Sequence, residues 1–396
     1  MTPSARLAAA IENLDRILAG EPAERALTRW ARASRFAGSK DRAAVRDIVF
    51  DCLRKRRSLA HLAGVMTGRG LVMAHQYKAG ETLDELFTGE GFAPAPLTGP
   101  EWFNLSQPAG TPLPIALDYP DFLHEELVRS LGDQMVSVLS ALRERAPVDL
   151  RVNTLKASVQ EALNHLGRDQ IFAEPHPLSP TALRITHNER RLAQSLAYRY
   201  GEVELQDVSS QAVALFAGAE PGMRVLDYCA GGGGKTLALA ATMQNQGLLL
   251  AHDANPARMK DLPERASRAG ADMVIVETPE LERQKPQCDV VLVDAPCSGS
   301  GAWRRNPNGK WILTPERLLE LTRLQSEILD EAAGYVAPGG RLVYATCSIF
   351  ISENADRIDA FLDKRTDWHP GPSKQFLPTD GGDGFFVAVI EKNNLK

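Results

Sequence analysis

Cysteine is scarce in this sequence, with five residues among 396. No two of them form a C-x-x-C pair, and their number is odd. This argues against a disulfide framework and against a zinc site, and it favours a protein of the reducing cytoplasm. The five positions are Cys52, Cys229, Cys288, Cys297 and Cys347.

Long apolar runs are also missing. No stretch approaches the ~20 residues that a membrane helix needs, and the segment Met1–Arg6 lacks the apolar region of a signal peptide. We therefore expect no membrane association. Internal repeats and long low-complexity tracts are absent as well, and 396 residues with 44% hydrophobic content can form two or three domains.

The net charge of -5 gives no overall sign of nucleic-acid binding. Its distribution is uneven, because residues 1–60 carry thirteen Lys or Arg against seven Asp or Glu. The run Arg54-Lys-Arg-Arg57 lies at the end of this region, and Arg304-Arg305 form a second basic pair. Two interpretations stay open at this point: a solvated helix face, or a surface that contacts phosphates.

The first half of the chain changes its periodicity near residue 149. Residues 3–64 show helical spacing of apolar residues, residues 88–120 are rich in Pro and Gly and predict loops, and a helix is predicted over Asp121–Leu142. Strand-like residues 149–154 and Ala182–Thr186 flank a predicted helix over Val159–Leu166. We therefore predict an all-α domain at 1–142, a small α+β module at 143–205, and an α/β domain at 206–396.

The last domain alternates strands with helices. The predicted strands are Arg224–Asp227, Leu248–Ala251, Met273–Val276, Val290–Val293 and Arg341–Ala345, with Gly384–Ile390 as a closing antiparallel strand. This alternation is typical of a doubly wound, Rossmann-like parallel sheet. Such sheets bind their ligands at the carboxyl ends of the strands.

The segment Cys229–Thr236 contains four consecutive glycines between a predicted strand and a predicted helix, and it allows three interpretations. It can be a tight turn without a ligand. It can be a P-loop that binds a triphosphate, although the first glycine of that motif is replaced by Cys229. It can hold an adenosyl cofactor, in which case Asp253, 22 residues after Gly231, is positioned to accept the ribose hydroxyls.

Two thiols and one carboxylate follow neighbouring strands. Asp294 and Cys297 come after Val290–Val293, and Cys347 comes after Arg341–Ala345, so all three are predicted at one edge of the sheet. These groups suit alkylation of a pyrimidine at C5, which becomes nucleophilic when a thiolate adds at C6. Asp294 would bond the ring N3 and the exocyclic amine, the second thiol would assist release, and Lys235 would lower a thiol pKa. The residues alone do not say which thiol attacks. Cys52 and Cys288 are interpreted as buried, inert residues.

Several motifs resemble the Nop/Sun family of RNA (cytosine-C5)-methyltransferases, above all its bacterial ribosomal-RNA members. The resemblance covers about residues 150–396, and the first domain is more weakly similar to the NusB-like domain of those members. The matching stretches are Arg151–Thr154, Gln206–Gln211, Cys229–Thr236, Asp294–Gly299, Arg304–Pro307, Tyr344–Ser348 with Glu353-Asn354, and Asp383–Phe386.

The resemblance implies a class I methyltransferase that binds S-adenosylmethionine and methylates RNA, with ribosomal RNA as the expected substrate. Cys347 is then the nucleophile and Cys297 the residue that aids release, with Asp294 and Lys235 beside them. We expect a monomer, no metal, and a small module at 143–205 that binds RNA. The cofactor would contact Cys229, Ala230, Gly231, Gly232, Gly233, Gly234, Lys235, Asp253 and Asp294.

One departure from the family pattern lies in the glycine loop, where Gly231-Gly232 replace the usual Ala-Pro. We expect this loop to be more flexible and to bind the cofactor more weakly. Two rival functions follow from the same residues. One is an RNA-binding assembly factor with a degenerate methyltransferase core, and the other is a P-loop ATPase.

Overall fold

The computed structural model describes residues 1–106 and 110–394. This part of the chain folds as two compact units. The first, called the helical unit here, contains residues 1–145 and 303–313, and the second, called the sheet unit, contains residues 146–302 and 314–396. The predicted boundaries at 142/143 and 205/206 stay predictions.

Ten α-helices lie in the described residues 1–106 and 110–145 of the helical unit, which confirms the predicted helical N-terminal region. The first begins with Thr2, whose hydroxyl accepts from the Ala5 N–H, and with a proline at its first position. Apolar side chains at helical spacing, such as Leu14 and Val49, are fully buried in the core of the unit. The helices are α1 (Pro3–Leu18), α2 (Ala23–Ala33), α3 (Ser39–Arg54), α4 (Arg56–Ala63), α5 (Gly68–Lys78), α6 (Leu83–Leu86), α7 (Gly99–Ser106), α8 (Leu113–Ala116), α9 (His124–Leu131) and α10 (Met135–Leu142).

Two local predictions for this unit are wrong. The segment predicted as one helix over Asp121–Leu142 is interrupted, because Gly132 adopts a positive φ of 49° between α9 and α10. Glycine takes this conformation without the clash that a Cβ would cause. The region predicted as loops contains the short helices α7 and α8, since prolines at the start of a helix do not break it.

Residues 303–313 also belong to the helical unit, although they are distant from residues 1–145 in sequence. Trp303 is buried in it, and the Trp311 indole donates to the carbonyl of Leu53 at 2.7 Å. The Arg54 Nε donates to the carbonyl of Arg304 at 2.8 Å. The end of α3 is therefore held by a segment about 250 residues away in sequence.

The basic side chains at residues 54–57 all make contacts within the helical unit. Arg54 is buried and ion-paired with Asp51, and Lys55 pairs with Glu144 at 3.0 Å. The Arg56 guanidinium lies 5.3 Å from the centre of the Trp311 ring, and Arg57 pairs with Asp121 at 2.7 Å. These side chains stabilise the unit, so the interpretation of the run as a free phosphate-binding surface is not supported.

Lys310 is buried in the same unit, with 2% of its surface exposed. Its Nζ donates to the carbonyl of Arg54 at 3.3 Å and lies 4.7 Å from the centre of the Trp311 ring. Burial lowers the pKa of Lys310 to about 7. The folded protein therefore binds fewer protons than the unfolded chain between about pH 7 and the ordinary lysine pKa of roughly 10.4.

This burial predicts a pH-dependent stability. The contribution of Lys310 to the free energy of unfolding should rise with pH above 7, by roughly 1 kcal/mol per pH unit at the steepest part, because the folded state favours the neutral amine. Replacing Lys310 with Met, of similar length and uncharged, should remove this slope. Melting temperatures of both proteins at pH 7 and pH 9 test it, and the advantage of K310M should be larger at pH 7. An equal difference at both pH values would contradict the prediction.

The sheet unit begins with a small antiparallel sheet in the order β2-β3-β1-β4. Its helix α11 starts at a capping box, in which Ser158 and Glu161 each bond the other's backbone N–H. The predicted α+β character of this region is confirmed. The elements are β1 (Asp149–Val152), α11 (Val159–Arg168), β2 (Phe172–Pro175), β3 (Ala182–His187), α12 (Leu196–Arg199) and β4 (Val203–Leu205).

A seven-stranded mixed sheet follows in the order β10-β11-β9-β8-β5-β6-β7. The strands β5 to β9 are parallel, and β11 pairs antiparallel with both β9 and β10. The predicted doubly wound α/β sheet is thus confirmed. The elements are α13 (Val208–Phe216), β5 (Arg224–Asp227), α14 (Gly234–Thr242), β6 (Leu248–Ala251), α15 (Leu262–Ala269), β7 (Val274–Ile275), α16 (Thr278–Gln284), β8 (Cys288–Asp294), α17 (Pro307–Ile312, in the helical unit), α18 (Pro315–Ala332), β9 (Val336–Thr346), α19 (Ala355–Leu362), β10 (Trp368–Phe376) and β11 (Phe385–Lys392).

In residues 1–106 and 110–394, no helix combines the length and apolarity that crossing a membrane requires. Within the same ranges, no three His, Cys, Asp or Glu side chains converge in an arrangement that could hold a metal ion.

Candidate active site

The carboxyl ends of four neighbouring strands carry the polar residues of the site. Asp227 ends β5, and it pairs in register with Ala251 of β6 on one side and Leu292 of β8 on the other. Asp294 ends β8 and pairs with Ala345 of β9. The strand order therefore brings Asp227, Asp253, Asp294 and Cys347 to one edge, as the sequence predicts for the last three.

The glycine loop connects β5 to α14 at this edge. The Ala230 N–H donates to the carbonyl of His252 at 2.8 Å, which ties the loop to the end of β6. Gly233 has a φ of 80°, and a Cβ there would lie 2.1 Å from the Leu262 side chain. The positive φ and this close approach both favour glycine at 233, and the loop amides that precede α14 can face a ligand.

Asp253 lies beside this loop and is almost fully buried. One carboxylate oxygen accepts from the Gly231 N–H at 3.0 Å and pairs with Arg258 at 3.0 Å. The other oxygen accepts from the Asn255 N–H at 2.9 Å. The Asp253 carboxylate is thus oriented toward the loop, where the sequence predicts a ribose contact. Its partner, the Arg258 guanidinium, is 51% exposed.

Lys235 and Thr236 at the start of α14 both bond carboxylates of the strand ends. The Lys235 Nζ donates to Asp294 at 2.7 Å, and the Thr236 hydroxyl donates to Asp227 at 2.7 Å. Burial disfavours the charge on Lys235, but the pKa of Lys235 still lies above its ordinary value because Asp294 stabilises the ammonium. A P-loop needs its lysine on the phosphates and its hydroxyl on a magnesium ion, so these contacts disfavour the ATPase hypothesis.

Asp227 is a site residue that the sequence reasoning missed. It is fully buried, burial raises its pKa to about 7, and its Oδ1 meets no hydrogen-bond donor within residues 1–106 and 110–394. A buried acceptor that lacks a donor is costly unless a ligand supplies one. The sequence could have revealed Asp227, because it is an acidic residue at the carboxyl end of the first strand of the parallel sheet.

The sequence reasoning also missed His252. This residue connects the segments that follow the neighbouring strands β5, β6 and β7. Its ring nitrogens lie 2.8 Å from the Tyr228 carbonyl and 3.0 Å from the Thr278 hydroxyl. The Tyr228 and His252 rings lie 4.8 Å apart. The ring is buried and holds the segment after β7 against the end of β6.

The two thiols lie together. The Sγ atoms of Cys297 and Cys347 are 3.3 Å apart, at hydrogen-bonding distance for sulfur. The hydrogen bond with Cys347, together with burial, raises the pKa of Cys297 well above its ordinary value, and the nearby Glu353 carboxylate acts in the same direction. We interpret Cys297 as the protonated partner.

The other cysteines are inert. Cys52 and Cys288 are fully buried, as the sequence predicts, and burial raises the pKa of Cys288 to about 11. Burial likewise raises the pKa values of Cys52 and of Cys229, the latter in the glycine loop. This disfavours a thiolate at Cys229.

Comparison with known proteins agrees with this geometry. Residues 214–391 match the family described as 16S rRNA methyltransferase RsmB/F, and residues 119–190 match its ferredoxin-like domain. The chain is 34% identical over 289 residues to ribosomal RNA small subunit methyltransferase B of Photorhabdus laumondii, a match that covers 69% of this chain. The matched part spans 66% of the length of that relative.

Solved structures show the same fold. The crystal structure of PH0851 superposes with a TM-score of 0.77 at 25% identity, covering 99% of each chain. The structure of NSun6 from Pyrococcus horikoshii with SFG has a TM-score of 0.63 at 18% identity, covering 69% of this chain and 98% of that one, a likeness of fold alone. The family motifs, the thiol pair and these matches agree, and the chain belongs to the RsmB/F family of RNA cytosine methyltransferases.

Proposed function

We propose that this protein methylates C5 of a cytosine in 16S ribosomal RNA. The observation that carries this proposal is the pair of thiols, 3.3 Å apart, beside the Lys235–Asp294 ion pair at the carboxyl edge of the parallel sheet. C5 of cytosine is a poor nucleophile until a thiolate adds at C6, and a single site that offers a thiolate, a thiol and a carboxylate meets that need.

The glycine loop and two carboxylates fit an adenosyl cofactor. The loop amides approach a ligand at the start of α14, Asp253 is oriented toward the loop, and Asp227 retains a buried oxygen for a donor. S-adenosylmethionine supplies an electrophilic methyl group when it is bound. The positions that would hold it are Cys229, Ala230, Gly231, Gly232, Gly233, Gly234, Lys235, Asp253 and Asp294, with Asp227 added from the structure.

The protein residues then act as follows. Cys347 attacks C6 of the cytosine, and Lys235 stabilises its thiolate before the attack. Asp294, whose side chain is 33% exposed, bonds the ring N3 and the exocyclic amine and so stabilises the charge that develops in the ring. Once C5 carries the methyl group, its proton passes to a base with the assistance of Cys297. The C5–H electron pair restores the C5–C6 double bond, and the bond between Cys347 and C6 breaks, which frees the Cys347 thiolate.

The target base must leave its stack to reach this edge. Extrusion costs a few kcal/mol and least for unpaired bases, so we propose a cytosine in a loop or junction of the RNA. We also propose that the module at 143–205 binds RNA, that the first domain is NusB-like, and that the protein acts as a monomer in the cytoplasm.

Bisulfite sequencing of 16S rRNA tests the function directly. In cells that lack the protein, one cytosine that resists conversion in the parent strain should become convertible, and a plasmid copy should restore its resistance. An unchanged pattern, together with intact binding of the protein to 16S rRNA, would instead support the assembly-factor hypothesis. A thermal shift with ATP and Mg²⁺ but none with S-adenosylmethionine would support the ATPase.

A further inference from the structure

Glu353 lies at the centre of a buried hydrogen-bond network next to the two thiols, and its exposed fraction is 0%. One oxygen accepts from the Ser298 N–H at 2.8 Å and from the Gln325 amide at 3.0 Å. The other accepts from the Ser298 and Ser348 hydroxyls, each at 2.5 Å. The carboxylate is thus bonded by four groups, all of them uncharged.

Two of these donors are neighbours of the thiols in sequence. Ser298 follows Cys297 directly, and Ser348 follows Cys347 directly. These two turns leave β8 and β9, and they are 50 residues apart in sequence. A single carboxylate therefore fixes the residue next to each thiol, so that neither turn can shift its backbone away from the other without breaking a charge-assisted hydrogen bond.

Further contacts hold Glu353 itself in place. The Gln325 amide that bonds the carboxylate also donates to the Pro296 carbonyl at 2.9 Å, on the other side of Cys297. The Tyr344 hydroxyl donates to the Glu353 carbonyl at 2.7 Å, and the Asn354 amide donates to the Ser348 carbonyl at 3.0 Å. The carboxylate is therefore anchored to the end of β9 and to α18.

We propose that Glu353 is a positioning residue that sets the separation of the Cys297 and Cys347 thiols. This inference rests on the proposed function for its catalytic consequence, but the separation itself can be measured without any methyl transfer. A buried carboxylate whose partners are all neutral costs free energy that a purely structural site could avoid with an apolar side chain. Because Glu353 bonds both turns that carry the thiols, positioning of the thiols would explain why a charged residue is kept there.

The experiment compares E353Q with the parent protein. The amide has the same shape but no charge, and its NH2 group can only donate. Where this group replaces the oxygen that accepts from Ser298 and Ser348, both hydroxyls must reverse and accept, so the charge-assisted hydrogen bonds become weaker neutral ones. A misplacement of about 1 Å can cost ~10²-fold in rate, and we expect kcat for methyl transfer to fall by about that factor. The KM for S-adenosylmethionine should stay unchanged, because Glu353 does not contact the glycine loop.

A thiol assay separates positioning from catalysis. Diamide, an azo compound, takes up two electrons and two protons as the two thiols form one S–S bond. In the parent protein this should close Cys297 to Cys347 and reduce the number of titratable thiols by two. In E353Q the closure should be at least about tenfold slower, because the effective concentration of one thiol near the other falls. If E353Q shows a normal closure rate, the proposal is wrong, whatever the methylation assay gives.

Two further variants keep the test decisive. E331Q removes the charge of a carboxylate that accepts from the Tyr228 hydroxyl at 3.0 Å and makes no hydrogen bond to either thiol turn among the described residues, and it should leave both readouts unchanged. If E353Q does not fold, S298A removes one hydroxyl donor and should slow the closure less strongly. Normal closure in a folded S298A would then overturn the proposal. Slowed closure without any methylation in the parent would retain the positioning role and reject the proposed function.

Discussion

Replacing Cys347 with alanine is expected to reduce methyl transfer to 16S rRNA to background, a loss of at least about 10³-fold in kcat, as for the removal of a covalent nucleophile. Cys347 lies just past β9, and its Sγ is 3.3 Å from that of Cys297. Without a thiolate at C6, the C5 carbon keeps its low reactivity. Transfer of a radiolabelled methyl group from S-adenosylmethionine to unmodified rRNA measures the loss.

Two controls sharpen this result. C288A removes a thiol from the other end of β8, where the side chain is fully buried, and it should retain activity within about twofold if the protein folds. Binding of S-adenosylmethionine by C347A, measured calorimetrically, should match that of the parent. If C347A is active and C297A is inactive, the order of the two thiols is reversed, and Cys297 is the nucleophile.

Replacing Cys297 with alanine should have a different effect, because the attack by Cys347 remains possible. We expect a covalent protein–RNA adduct that survives denaturing electrophoresis, while turnover falls by about 10²-fold or more, as for the loss of an acid–base group. The physical reason is that Cys297, held protonated by its hydrogen bond to Cys347, no longer assists the release of the product.

Labelled RNA that migrates with the protein on a denaturing gel reports this adduct. The double variant C297A/C347A is the matched control and should form none, since the attacking thiol is absent. A C297A protein that turns over normally without an adduct would contradict the assigned role of Cys297. An adduct that survives in the double variant would place the covalent bond on another residue.

Much of the fold follows from sequence patterns, because buried parallel strands are short apolar runs between helices. The runs at Arg224–Asp227, Leu248–Ala251 and Val290–Val293 lie within the observed strands. The edge strand β10 has no such pattern, since Pro370, Gly371 and Pro372 interrupt it, and it was missed. Edge strands can accommodate residues that an interior strand cannot.

The candidate site was only partly visible in the sequence. Motifs identify Asp294, Cys297 and Cys347, because each lies at or shortly after the end of a strand at the ligand edge. Glu353 depends on partners between 5 and 55 residues away, and no local pattern reports which of them meet. The same limit applies to residues 303–313, whose partners lie near residue 54.

The assignment of residues 303–313 to the helical unit also has a consequence for synthesis on the ribosome. The first 145 residues emerge without Trp303 and Trp311, and these arrive roughly 160 residues later, about 10 to 30 s at ordinary elongation rates. During that interval the nascent helical unit exposes the apolar surface that this segment covers, and chaperones that bind nascent chains have access to it. The unit completes its core only when the first strands of the large sheet have already left the ribosome.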